Sequence, residues 1–502
     1  MLARPRLPRF DEKIRSGCSV LRCRPAAGAL LVAGAAIIPG CGGDSSSGQA
    51  VDEPGAAEPV RAVDVSAAAD VVEVNLVATP ARVALLGKTR ADVWAYQDAS
   101  ARDAVPSIPG PLIEANQGDR VIVHFTNELP EETTIHWHGV RVPPESDGTT
   151  VSQMPVAPGG EFTYEFVAED AGTFWYHPHV RGDVQVELGL YGMLVVRGER
   201  DASIEVDADR AFVLDDVKLE ATGQLSTTTD ALDVMLGRQG NVVLVNGRER
   251  PRMNVKIGGR ERWRFVNAAN GRYFNLRLPG HSFRVIGWDG GLIPKPYEVD
   301  TLLITPGERY EVIVEPQGET GGALALQTVY YDRGHNIPDT GPKDILLLDL
   351  VEGGAASETP LPETWGSEVD LVPPETATER RLVLKEEDHG GDDVRFFIND
   401  AAFPNVPPLE ATSSDVEVWA VTNDTEMDHP FHLHGMFFRV LDVDGVPPEH
   451  EGWKDTVNVP QKKVLRFAVQ YGAPGSWMYH CHILEHAERG MMGELRLAPH
   501  QD

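Results

Sequence analysis

Apolar and polar residues alternate along much of this chain in short runs, and Gly, Pro, Asn and Asp close each run after a few positions. Period-two alternation puts every second side chain on one face of a strand, so the pattern predicts an all-β fold rather than a helical one. The 49 glycines and 37 prolines suit a chain of many tight turns. One stretch breaks the alternation: 26–38 is a continuous run of apolar and small residues, too short to span a bilayer comfortably.

Three predicted strands end alike. Arg120–Asn127 (RVIVHFTN), Arg260–Asn267 (RERWRFVN) and Asp415–Asn423 (DVEVWAVTN) each finish on asparagine. Nine and eleven residues further on stand His136 and His138 in the first case, Leu276 and Leu278 in the second, and His432 and His434 in the third. A second segment repeats in step. Gly172 precedes His177 by five residues, Gly322 precedes Gln327 by five, and Gly475 precedes His480 by five. One unit therefore recurs three times, and its middle copy, with apolar or amide side chains where the others carry imidazoles, reads as a spacer. Polar stretches at 199–210 and 352–379 mark the joints, giving units at 70–200, 205–352 and 380–499.

Charge narrows the partners. With 45 basic and 76 acidic residues the chain carries a net −31, which excludes nucleic acid because phosphate binding needs clustered Lys and Arg. Six arginines and Lys13 precede the apolar run, the layout of a secretory signal. The run leads into Ile38-Pro39-Gly40-Cys41, which resembles a bacterial lipobox. That resemblance implies a lipoprotein-type signal peptide at 1–40, a lipid anchor on Cys41, a flexible tether at 41–69 and an address in the cell envelope or periplasm. Beyond Cys41 only Cys481 remains, so no internal disulfide can form, and a lone thiol in an exported protein invites a metal to hold it.

The chemistry gathers in four short motifs: His136-Trp137-His138-Gly139, His177-Pro178-His179, 429–435 (HPFHLHG) and 480–486 (HCHILEH). They hold ten of the 16 histidines, and Met491 follows the last. In an extended strand His-x-His turns both imidazoles to one side, roughly 7 Å apart along the backbone. The pairs 136/138, 177/179, 432/434 and 480/482 thus supply eight imidazoles, too many for one ion and enough for a cluster of three. Cys481 lies between two of them and must face the other way. His429, an odd number of residues before His432, also turns from the cluster, and His486 and Met491 can close over the thiol. A thiolate, two imidazoles and a thioether make a blue-copper ligand set. His124, His281, His335, His389, His450 and His500 lack such partners and are assigned to surface or core.

At these motifs the chain resembles the multicopper oxidases, in particular three-domain bacterial laccases and cuprous oxidases, over about 70–499. The resemblance implies three consecutive cupredoxin-like Greek-key β-barrel domains and four copper ions. It places type 1 copper on His429, Cys481 and His486 with Met491 axial, and type 2 on His136 and His432. One type 3 copper falls to His138, His177 and His482, the other to His179, His434 and His480. The implied reaction oxidises a small donor (phenol, aromatic amine or Cu(I)) one electron at a time and reduces O2 to water. Catalysis would rest on Cys481, His480 and His482 for electron transfer and on Asp147 for proton supply. Where relatives carry Glu after the second type 1 histidine, this chain has Ala487, with Glu488 next. No methionine lies between Met253 and Met427, and 388–393 (DHGGDD) is not methionine-rich, which favours a laccase-like donor. A cuprous oxidase with a landing site at Glu426, Met427 and Asp428 is the alternative. A non-catalytic envelope scaffold or a copper-sequestering protein is a remoter one.

Overall fold

The computed structural model describes residues 58–226, 228–354, 360–366, 368–390 and 393–500. The expected signal peptide, most of the tether and Cys41 lie outside the described residues. The fold is all-β, built as three consecutive cupredoxin-like barrels, each of two sheets around its own apolar core. The first pairs two four-stranded sheets, and the second and third each pair a six-stranded with a five-stranded sheet. In every barrel the opening strand runs parallel to the strand that ends on asparagine: Val71–Leu86 beside Arg120–Asn127, Ala208–Val217 beside Glu261–Asn267, and Thr378–Asp388 beside Val416–Asn423. The second sheets match too, with parallel closures of Gly110–Asn116 on Gly192–Arg197, Arg252–Lys256 on Lys343–Val351, and Leu409–Thr412 on Met492–Ala498.

The recurring asparagine has one job in all three places. Each is buried, and its side-chain amide donates two hydrogen bonds: Asn127 to the carbonyls of Glu131 and Val156, Asn267 to Arg272 and Ile304, Asn423 to Met427 and Val459. Each side-chain oxygen accepts from the backbone N–H two residues on, at Leu129, Ala269 and Thr425. The amide thus ends the strand and fixes the loop that leads to the +9 position, which is why the offset is conserved across copies. In the first barrel that position, His136, pairs with His177, and in the third His432 pairs with His480. In the middle, buried Leu276 pairs with Thr328, not with Gln327 as equal spacing from Gly322 predicts. The neighbouring strand Lys343–Val351 carries a bulge at the same level, where Ile345 is the extra residue between the pairs Leu326–Leu346 and Gln327–Asp344.

Asn267→Ala therefore strands two buried carbonyls and an N–H without removing any candidate ligand. At about 1–3 kcal/mol for each unsatisfied group, we expect a lower urea midpoint with unchanged copper content. An unaltered midpoint would contradict the role given to the asparagines.

Candidate metal centre

The four histidine motifs, distant in sequence, meet between the first and third barrels. His136 stacks on His434 at 3.9 Å between ring centroids, and His138 on His432 at 3.8 Å, so the two His-x-His strands face each other with their pairs crossed. His177 and His179 lie beside His136 at 5.3 and 5.8 Å, and His480 and His482 close the far side against His434 and His138 at 5.2 and 4.9 Å. Within each motif the two rings are 4.8–6.4 Å apart, somewhat closer than backbone spacing alone predicts.

Hydrogen bonds fix which nitrogen of each ring points inward. The Nδ1–H groups of His136, His177, His432 and His480 donate to the carbonyls of Asp147, Pro178, Asp455 and Cys481. His434 Nδ1 donates to the Asp147 carboxylate at 3.1 Å. His138 is reversed. Its Nε2 donates to Thr456 Oγ1 at 3.0 Å and leaves Nδ1 as the free atom. Buried lone pairs are thereby left without a partner among the described residues: Nε2 of His136, His177 and His432, Nδ1 of His138, and both nitrogens of His482. Nε2 of His434 and His480 stand 3.1 Å apart although both Nδ1 atoms are already donating. Two facing acceptors repel each other unless a cation lies between them.

The thiol side is separate and equally closed. Cys481 pairs across the sheet with Phe431, while His480 pairs with His432, so the thiol and its flanking imidazoles leave the strand on opposite faces. Cys481 Sγ lies 3.4 Å from His429 Nδ1 and 3.7 Å from His486 Nδ1, and the two nitrogens are 3.2 Å apart. Both Nε2 atoms are engaged, His429 with Thr425 Oγ1 at 2.8 Å and His486 with the Met235 carbonyl at 3.3 Å. Met491 is buried in the same core, and its carbonyl accepts from the Cys481 N–H. Burial pushes the Cys481 thiol above its ordinary range, so a thiolate persists here only with a cation in place of the proton.

Several residues in the supporting shell carry no signature in the sequence. Asp455 holds two cluster rings, its carbonyl accepting from His432 and its Oδ1 lying 3.3 Å from His138 Nε2. Burial alone would raise this carboxyl, but Arg309, which grips it with both terminal nitrogens, holds it below the usual carboxylate range. Arg309 is fully buried and comes from the middle barrel, with further bonds to the carbonyls of Thr173 and Asp289. Gly139 (φ +84°) leaves room for that guanidinium, and Gly307 (φ +86°) for the His482 ring; a Cβ would meet either within 2.8 Å. The middle barrel is therefore more than the expected spacer. Among the histidines set aside from the motifs, His124 and His335 pair with Glu73 and Glu386, and His450 stacks on Tyr297. Glu488, exposed to solvent, accepts from the Gly182 N–H.

Buried, neutral, inward-facing nitrogens beside a thiolate trio define a protein that binds soft cations in two adjoining sites, and the donor set is that of copper. The chain belongs to the multicopper oxidase family: family profiles described as "Multicopper oxidase" match residues 79–201, 215–334 and 374–501. It is 33% identical over 430 residues to multicopper oxidase MmcO of Mycobacterium tuberculosis, covering 78% of this chain and 81% of that one. Among solved structures it resembles a multicopper oxidase from Campylobacter jejuni described as a metallo-oxidase (TM-score 0.77, 28% identity, 88% and 94% of the two chains). It also resembles a laccase from Pediococcus acidilactici (TM-score 0.76, 29% identity, 88% and 93%). As a family member it is an oxidoreductase with O2 as acceptor and four coppers, one type 1, one type 2 and two type 3.

Burial first, then the nearness of other rings, pushes His138, His177, His434, His480 and His482 well below 6.5 and His179 to about 3. Burial likewise takes His429 to about 4. Below 6.5 the unfolded chain binds protons that these folded rings refuse, so metal-free stability falls as pH drops towards the folded values. Each such ring contributes about 1.4 kcal/mol per pH unit. Denaturant titrations of the metal-free protein from pH 7.5 to 4.5 should show a steep multi-proton loss; a flat profile would contradict the buried neutral rings.

Proposed function

We propose that this protein is a laccase-like oxidase that takes single electrons from phenolic or aromatic donors on its thiolate side and delivers them to O2 on its imidazole side. His429, Cys481 and His486 would hold the type 1 copper, with Met491 as a further ligand. His136 and His432 hold type 2, while His138, His177 and His482 hold one type 3 copper and His179, His434 and His480 the other. The coppers supply a one-electron acceptor for the donor and the centre where O2 takes four electrons and becomes two waters. The observation that carries the reading is the two-faced strand, where the Cys481 side chain meets His429 and His486 while His480, covalently joined to it, gathers with His179 and His434.

The chain's own residues support this division of labour. The Cys481 carbonyl accepts from His480 Nδ1 at 2.9 Å, a hydrogen-bonded shortcut beside the covalent path. The Ile483 N–H reaches Cys481 Sγ at 3.4 Å and steadies negative charge there. Asp147 is fully buried against His434 and His136, where its carboxylate orients both rings and offers an oxygen at which a proton can be held. A thioether at Met491 suits a moderate potential and readily oxidised donors.

The family includes relatives described both as metallo-oxidase and as laccase, and the surroundings of His429 favour the organic donor. Met427 is buried, Glu426 pairs with Lys462 at 3.0 Å, and Asp428 is occupied by Tyr331, Asn458 and the Gln461 N–H. A landing Cu(I) ion would have to break each of these. Export to the cell envelope with a lipid on Cys41 belongs to the same proposal and rests on the N-terminal sequence. Among the described residues no helix is long and apolar enough to cross a membrane.

Cys481→Ser is expected to abolish the intense blue absorption while three coppers stay bound. His432→Ala should keep the blue band and cut O2 uptake by more than the roughly 10–100-fold that losing an outer partner costs. Absorption spectra, copper analysis and oxygen electrode traces check both, and full activity in Cys481→Ser would overturn the assignment. Turnover of a methoxyphenol should exceed that of Cu(I); the reverse order would favour the metal-ion reading.

A further inference from the structure

The middle barrel carries a cavity of about 270 Å³ whose walls include Tyr273, Tyr330, Tyr331, Arg272, Arg333 and Lys343. Its size lies just under the ~300–1,000 Å³ of typical ligand pockets and suits a single ring with a short substituent. Tyr331 stacks on the buried Tyr273 at 5.8 Å and 8°, and the partly exposed rings of Tyr331 and Tyr330 present aromatic surface to the cavity. The remaining character of the walls is cationic, in a chain of net charge −31.

Among the described residues only one of the three cations makes an ion pair. Arg272 binds Asp216, with Nε 2.6 Å from a carboxylate oxygen. Arg333 is 2% exposed, lies 5.1 Å over the Tyr273 ring and gives one terminal nitrogen to the Leu236 carbonyl. Its other terminal nitrogen, Nη1, has no hydrogen-bond partner among the described residues. Burial lowers Arg333 to about 10, and burial with the nearby Arg272 charge lowers Lys343. A buried guanidinium nitrogen without a hydrogen-bond partner is costly, and an anion reaching it from the cavity offsets that cost.

The cavity also lies next to the thiolate trio. His486 Nε2 donates to the Met235 carbonyl, and the next carbonyl, Leu236, accepts from Arg333. A molecule on Arg333 is thus separated from a ring of the trio by one side chain and one peptide unit. We infer that this cavity binds the electron donor and selects donors that join a phenolic ring to a carboxylate or similar anion. Arg333 and Lys343 take the anion, and Tyr331 and Tyr330 take the ring. The inference rests on the oxidase reading above. Four such phenols each lose one electron and the phenolic proton, and one O2 takes up four of each to give two waters.

The test pairs ferulate with its uncharged methyl ester in steady-state kinetics at pH 7 and low ionic strength. It adds calorimetric titration with cinnamate, an anion of the same shape without the oxidisable hydroxyl. Ferulate should exceed the ester in kcat/KM by roughly tenfold, and cinnamate should bind one per chain and compete with ferulate. Lys343→Glu should reduce the ferulate-to-ester ratio by about tenfold and abolish the cinnamate heat. Equal kcat/KM for the two donors, or a ratio untouched by Lys343→Glu, would overturn the inference. Absent cinnamate binding in an enzyme that oxidises methyl ferulate would overturn this cavity alone. Binding of cinnamate with no oxidation of either phenol would overturn the donor role together with the aromatic-oxidase reading.

Discussion

Everything in this structure turns on the opposed projection of neighbouring side chains at 480–482. A strand cannot aim Cys481 and its two flanking histidines at the same point, and here the thiol enters the core of the third barrel while the imidazoles enter the seam with the first. Two metal environments of different softness are thereby held one residue apart, without a mobile element between them. The separation follows from backbone geometry, so no special packing is required to maintain it.

Packing decides whether the rings on each side are ready. Nearly every imidazole has one nitrogen tied to a backbone carbonyl, a hydroxyl or a carboxylate, which fixes the tautomer and leaves a lone pair facing inward. The most connected of these supports is the Arg309–Asp455 pair, through which the middle barrel reaches His138 and His432. Removing one partner of a buried, hydrogen-bonded ion pair typically costs about 3–5 kcal/mol. The middle barrel has apolar residues at the ligand positions, yet it supplies this arginine, the glycine under His482 and the carbonyl that orients His486.

The fold class, the threefold repeat and the four histidine motifs could be read from the sequence because each is encoded locally, by alternation, by a strand-ending asparagine or by His-x-His spacing. What escaped depends on which surfaces meet. Arg309 looks like an ordinary strand residue until the middle barrel packs on the third, and Asp455 and Thr456 look like a turn and a strand start. Equal spacing pointed to Gln327 where the structure pairs Thr328 with Leu276, because strand register is set by the partner strands and not by the count from a glycine. The middle unit looked inert for the same reason: its contribution is made by side chains outside the repeat.

Diffraction from crystals of the copper-loaded protein, recorded on both sides of the copper absorption edge, puts the two-faced strand to its most direct test. The account predicts four anomalous peaks, one bonded to Cys481 Sγ with His429 and His486, and three enclosed by the eight paired imidazoles. A copper shared between Cys481 and either His480 or His482 would contradict it.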